Sequence, residues 1–118
     1  MEKPHKKLNV WQEAMKAAQT VYKLTTVFPT EEKFGLVSQM RRAVISIPCN
    51  IAEGAARQGK KEFKNFLHIA QGSLSELDTQ LELAVLFGYL NKSTCDELSD
   101  QLLSVDKMLS GLIRSLKA

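Results

Sequence analysis

The chain has 118 residues, 44% of them hydrophobic and 25% charged, with six Gly, three Pro and two Cys. That is the composition of one ordered globular domain, long enough to bury roughly two-thirds of the surface its unfolded chain exposes, and it excludes a disordered, collagenous or disulfide-stapled chain. The net charge of +3 is modest but uneven, because residues 1–64 hold twelve Lys/Arg against six Asp/Glu and residues 65–118 hold four against seven. Such asymmetry suits a face for an anionic partner, complementary contacts between copies, or a plain solvated surface.

Residues 1–7, MEKPHKK, are polar and show no period, so they are expected as a flexible basic tail ahead of a single domain over residues 8–118. No apolar signal-peptide core follows them, and no apolar run approaches the roughly 18 to 20 residues that span a bilayer. A cytoplasmic chain without a membrane partner is expected. From Leu8 the helical period begins: Trp11, Ala14, Met15, Ala18, Val21, Tyr22 and Thr25 recur at steps of three and four. Phe28-Pro29 closes this helix, since the residue before proline avoids the helical region.

Thr30, followed by Glu31 and Glu32, reads as the start of a second helix, with a hydroxyl placed to cap it and carboxylates where the dipole favours them. Its core face runs Leu36, Met40, Ala43, Val44, Ile47, Ile51 and Ala55. Opposite Met40, within about 40° of one another at 100° per residue, lie Ser38, Ile45, Cys49 and Ala52. A helix apolar on two sides has to be covered twice, by its own bundle and a wrapped loop or by a second copy of the chain. Pro48 lies inside the pattern and predicts a kink near Val44 to Pro48, with Ser46 and Asn50 placed to satisfy freed backbone groups. Gly54 and Gly59 mark the helix end and a short connection.

The third helix carries an unbroken heptad seam, Phe63, Leu67, Ala70, Leu74, Leu77, Leu81, Ala84 and Gly88, flanked by Phe66, Ile69, Leu83, Phe87 and Leu90. Gly72 interrupts good helix formers, which predicts the close approach of another helix there. Asn91-Lys92-Ser93 reads as a turn, Ser93 or Thr94 as the next cap, and Leu98, Leu102, Val105, Leu109, Leu112 and Leu116 as the seam of a fourth helix, with Arg114 and Lys117 suited to its C-terminus. Four amphipathic helices with short connections give an all-α, antiparallel up-down-up-down four-helix bundle.

Chemistry is sparse. His5 and His68 lack ligand spacing, Cys49 and Cys95 form no CxxC and are expected as reduced thiols, and no glycine-rich phosphate loop or base-activated serine is present. No enzyme, cofactor, metal site or small-molecule substrate is expected. What remains is the basic set Arg41, Arg42, Arg57, Lys60, Lys61 and Lys64, with Lys3, Lys6 and Lys7 as an arm; phosphate backbones bind such sets through charge-assisted contacts and counterion release. The bland readings are solvated charges, a Glu53–Arg57 pair at i, i+4, and ion pairs between copies made by Arg41 and Arg42.

Six runs carry more than periodicity: VWQEAM at Val10 to Met15, VYKLT at Val21 to Thr25, FPTEEKFGL at Phe28 to Leu36, SQMRRAVISIPCNIAEGAARQ at Ser38 to Gln58, KEFKNFLHIAQGSLSEL at Lys61 to Leu77, and GYL at Gly88 to Leu90. Over nearly its whole length the chain resembles the four-helix-bundle family of 23S rRNA intervening-sequence proteins, also called S23-type ribosomal proteins, whose genes were first noticed inside insertions within bacterial 23S rRNA genes. The resemblance implies a ring-like homopentamer of antiparallel bundles. The family is similar in turn to the accessory protein of diversity-generating retroelements, a pentameric basic barrel that binds nucleic acid. Arg41 and Arg42 stand in the RR position of the family pattern and Arg57 in the AEGxxR position. The expected function is a non-enzymatic oligomer that binds rRNA or other nucleic acid through Arg41, Arg42, Arg57, Lys60, Lys61 and Lys64; the alternative is an oligomeric scaffold that recruits a protein partner.

Overall fold

Hydrophobic residues at steps of three and four become four helices in a computed structural model that describes residues 3–116. They are α1 (Asn9–Thr25), α2 (Leu36–Ala55), α3 (Lys60–Leu86) and α4 (Lys92–Ser115), with 3-10 turns at Pro4–Lys7 and Thr30–Glu32. Each helix packs antiparallel on the next, and α4 returns against α1, so the four stand at the corners of a square. The bundle measures 45 × 25 × 19 Å. The seams meet in one core, in which Met40, Ile47, Ile51, Leu67, Leu77, Leu81, Leu98, Leu102 and Leu109 are fully buried. Each such side chain contributes about 1.5–3 kcal/mol relative to exposure. Among the described residues, no helix is long and apolar enough to cross a membrane.

Antiparallel packing defines two ends. The Tyr89 end gathers the C-termini of α1 and α3 and the N-termini of α2 and α4; the Lys61 end gathers the opposite termini and the Pro4–Lys7 turn, which packs on both α1 and α2. Residues 3–7, read from sequence as part of a basic tail, carry this turn; Met1 and Glu2 lie outside the described residues, as does Lys117.

Several helix boundaries differ from the sequence-based expectation. The α2 helix does not start at Thr30, whose side chain caps nothing there. Instead Glu32 closes a 3-10 turn, the chain bends through Gly35, and the Leu36 amide donates to Glu32 Oε1 at 3.1 Å. Glu32 is therefore used as a cap for a helix that starts later than predicted. Neither Ser93 nor Thr94 is the N-cap of α4. Asn91 is, its Oδ1 accepting from the Thr94 amide at 2.8 Å. Gly88 ends the α3 seam rather than extending it: it takes φ +81°, its amide bonds the Val85 carbonyl, and the Tyr89 amide reaches back to Ala84. These paired bonds form a Schellman motif, in which a residue without Cβ suits the left-handed position.

Gly54 is not a helix terminator but a buried residue inside α2. A Cβ there would meet Phe66 Cβ at 2.8 Å and Phe63 Cδ1 at 2.9 Å, so its missing side chain lets α3 approach. Gly72, expected in that role, does not have it, for nothing lies within 4 Å of its would-be Cβ. Its neighbour Ser73 makes the interhelical contact instead, sharing a 2.7 Å hydrogen bond with Ser46 on α2. The α2 helix continues across buried Pro48, and the Asn50 side-chain Nδ2 donates to the Ser46 carbonyl at 2.8 Å and the Ser46 hydroxyl at 2.9 Å.

Candidate nucleic-acid interface

The six basic residues singled out by sequence fall into two groups. Arg41 and Arg42 sit in the second turn of α2, towards the Tyr89 end; Arg57, Lys60, Lys61 and Lys64 surround the α2–α3 connection at the Lys61 end. About 20 Å of helix separates the groups at 1.5 Å per residue. They do not form one cluster within a protomer.

Arg41 is held by α1. Its Nε donates to Thr25 Oγ1 at 2.9 Å, its Nη2 donates to the Tyr22 carbonyl at 3.3 Å, and its guanidinium lies 4.5 Å from the Tyr22 ring centroid. The buried Thr25 hydroxyl passes the interaction on, donating to the Val21 carbonyl at 2.8 Å. A cation at the carbonyl end of a helix is also favoured by the dipole. Arg41 thus ties α2 to the last turn of α1, a role the spacing of RR in the sequence could not reveal because its partners lie 16 and 19 positions away. Arg42 points elsewhere and is exposed, beside a polar groove that Gln39, Ser46, Ser73 and Glu76 also line.

At the other end Arg57 lies over the Phe66 ring, 5.1 Å from its centroid, and reaches Glu53 at 2.7 Å and Glu62 at 3.9 Å. These exposed pairs are worth about 0–1 kcal/mol, so a phosphate can displace them at small cost. Lys60 and Lys61 are exposed and Lys64 is half-buried. All three lie in the first turns of α3, whose N-cap is Gly59 and has no side-chain cap, and whose first turn contains a single carboxylate, Glu62. The helix dipole disfavours Lys60 and Lys61, in the first turn, by about 0.3–1 kcal/mol each. Uncapped amides and lysines together present donors and positive charge to an anion.

The second apolar face of α2 is where the period placed it. Ile45 and Cys49 remain exposed, and with Trp11, Met15, Pro48 and Ala52 they line a nearly wholly apolar groove of about 410 Å³ between α1 and α2. Cys95, by contrast, is buried, and burial pushes its thiol above the usual range. His5 meets Trp11 edge-on at 5.0 Å, His68 is exposed, and among the described residues no three His, Cys, Asp or Glu side chains group to hold a metal. Gln71, a polar residue of α3, donates to Ser110 at 3.0 Å and Asp106 at 3.2 Å and so belongs to α3–α4 packing.

The Tyr89 end contains a contact with no local sequence signal. The Tyr89 hydroxyl donates to Glu32 Oε2 at 2.9 Å, and its ring packs on Phe28 with centroids 5.6 Å apart. The hydrogen bond to Glu32 raises the Tyr89 pKa above 10.0.

Comparison with known proteins bears on all of this. No curated protein matches the chain. Among solved structures it is similar to a protein of unknown function from the S23 ribosomal protein family of Bacteroides thetaiotaomicron VPI-5482, with a TM-score of 0.79 and 24% identity over 88% of this chain and 97% of that one. At that identity the likeness establishes the fold. Residues 6–111 match the family described as 23S rRNA-intervening sequence protein, and the chain belongs to that family.

Proposed function

We propose that this chain is a non-enzymatic, cytoplasmic homo-oligomer, a pentamer as the family resemblance implies, which binds structured RNA or another nucleic acid through a basic surface at the α2–α3 connection. The observation that carries the reading is the set Arg57, Lys60, Lys61 and Lys64 around an uncapped helix N-terminus. Lys60 and Lys61 in the first turn work against helix stability, which argues for a role other than folding. Arg42 stands apart from this set, about 20 Å of helix away, while Arg41 serves the α1–α2 contact. The family's description points to 23S rRNA as the first RNA to try. Self-association is supported by the exposed apolar groove at Ile45 and Cys49. In a closed ring each copy carries the same basic surface in an equivalent position.

Equilibrium binding to structured RNA and to duplex DNA across a salt series tests the reading. Affinity that falls steeply with salt and is lost when Lys60, Lys61 and Lys64 are all changed to Glu is the expected result. No binding at low salt would leave the competing reading, a scaffold for a protein partner, which the same apolar groove favours. Light scattering tests the assembly: the expected mass is five times the 13.2 kDa protomer, and a single-protomer mass at micromolar concentration would exclude the ring.

A further inference from the structure

Antiparallel packing brings three segments distant in sequence to the Lys61 end: the Pro4–Lys7 turn ahead of α1, the α2–α3 connection, and the last turn of α4. Residues 3–13, 53–64 and 112–116 hold eight Lys/Arg against three Asp/Glu, whereas residues 23–36 and 82–97, at the Tyr89 end, hold three against five. The charge imbalance between the halves of the sequence thus becomes a polarity along the 45 Å axis.

The lysines of the N-terminal segment are carried on a fixed turn. The Lys6 amide bonds the Lys3 carbonyl at 3.1 Å, the Gln12 side chain donates to the Lys6 carbonyl at 2.9 Å, and the His5 ring rests against Trp11. Holding this backbone in place lowers the ordering cost of an interaction made by Lys3 or Lys7.

We infer that, if the nucleic-acid reading on which this rests holds, the docking surface is the whole Lys61 end. A phosphate backbone lies across the end of the bundle and is engaged by Lys3, Lys7 and Arg114 as well as by Arg57, Lys61 and Lys64, rather than running along α2 past Arg42. The dimensions agree with this. A duplex crossing the 25 Å width presents about 15 backbone charges over that length, at one per 1.7 Å of axis, enough to engage cations from all three segments.

The test compares three double variants in binding to a structured RNA and a DNA duplex over a salt series: K3E/K7E in the turn, K61E/K64E at α3, and K23E/K33E at the Tyr89 end, with helicity checked by circular dichroism. For K3E/K7E the slope of log affinity against log salt is expected to become shallower by about 0.9 for each duplex phosphate that is no longer neutralised. K61E/K64E should behave alike, and K23E/K33E should keep the wild-type slope. Weakening confined to K61E/K64E overturns the end-wide surface and leaves the nucleic-acid reading standing. Wild-type binding by both K3E/K7E and K61E/K64E overturns both. Unchanged binding by K3E/K7E with a lowered solution mass assigns the turn to packing between copies, and that too overturns the inference.

Discussion

At the Tyr89 end each of the four helix termini is closed by a named group: Arg41 on the last turn of α1, Glu32 on the first amide of α2, Gly88 in the turn after α3, and Asn91 before α4. At the Lys61 end the two helix N-termini, those of α1 and α3, have no side-chain cap among the described residues, and three lysines occupy the first two turns of α3. At the Tyr89 end polar side chains close both helix N-termini. At the Lys61 end Gln12 and Ser115 bond backbone carbonyls, but the start of α3 combines an N-cap without a side chain and lysines that the dipole disfavours.

The contrast breaks most severely where the Lys61 end does depend on packing. Gly54→Ala places a Cβ 2.9 Å from the Phe63 ring and 2.8 Å from the Phe66 Cβ, which moves only with the α3 backbone. The expected cost is about 1–3 kcal/mol in urea unfolding. Unchanged stability would mean that the two helices have room to separate there.

At the Tyr89 end, Glu32→Ala removes the acceptor for both the Leu36 amide and the Tyr89 hydroxyl. Loss of the helix cap alone is expected to cost about 0.5–2 kcal/mol. The same carboxylate makes a prediction about pH. Because the Glu32 hydrogen bond raises the Tyr89 pKa, the folded state keeps a proton that the unfolded chain gives up at 10.0. This contribution is fully present below pH 10, and it is lost as pH rises through the folded-state value. Urea unfolding from pH 9 to pH 11 should show wild type losing its advantage over Tyr89→Phe across that window. A constant difference would remove Tyr89 from the linkage.

The buried seams and the four-helix order could be read from the sequence because they follow from a period of 3.6 applied to residues such as Leu67, Leu77, Leu98 and Leu109. The glycines could not be assigned in the same way. Gly54, Gly72 and Gly88 are identical letters, and only the neighbouring helix or the backbone angle separates a packing residue from an open position or a left-handed turn. The basic set was legible as charge but not as geometry, since Arg41 is bound by partners on another helix and lies about 20 Å of helix away from Lys60. Likewise the Glu32–Tyr89 contact joins residues 57 positions apart, beyond the reach of any local pattern.

Gly72 gives a smaller effect of opposite sign. With nothing within 4 Å of its would-be Cβ, Gly72→Ala is expected to stabilise the protein by about 1 kcal/mol, the difference in helix propensity, measured as a raised urea midpoint with an unchanged slope. A destabilised variant would show that the glycine is needed by a contact formed only in the assembled oligomer.

The smallest shift in stability is the one that sharpens the contrast between the ends. Lys61→Glu replaces an exposed cation in the first turn of α3 with an anion that the helix N-terminus favours, so the variant should gain about 0.3–1 kcal/mol. If the same substitution weakens binding to structured RNA, stability and binding move in opposite directions at one residue, and Lys61 serves the ligand at the expense of the fold. A variant less stable than wild type would instead make Lys61 part of the structure, and the unfavourable charge at this end would no longer argue for a binding surface.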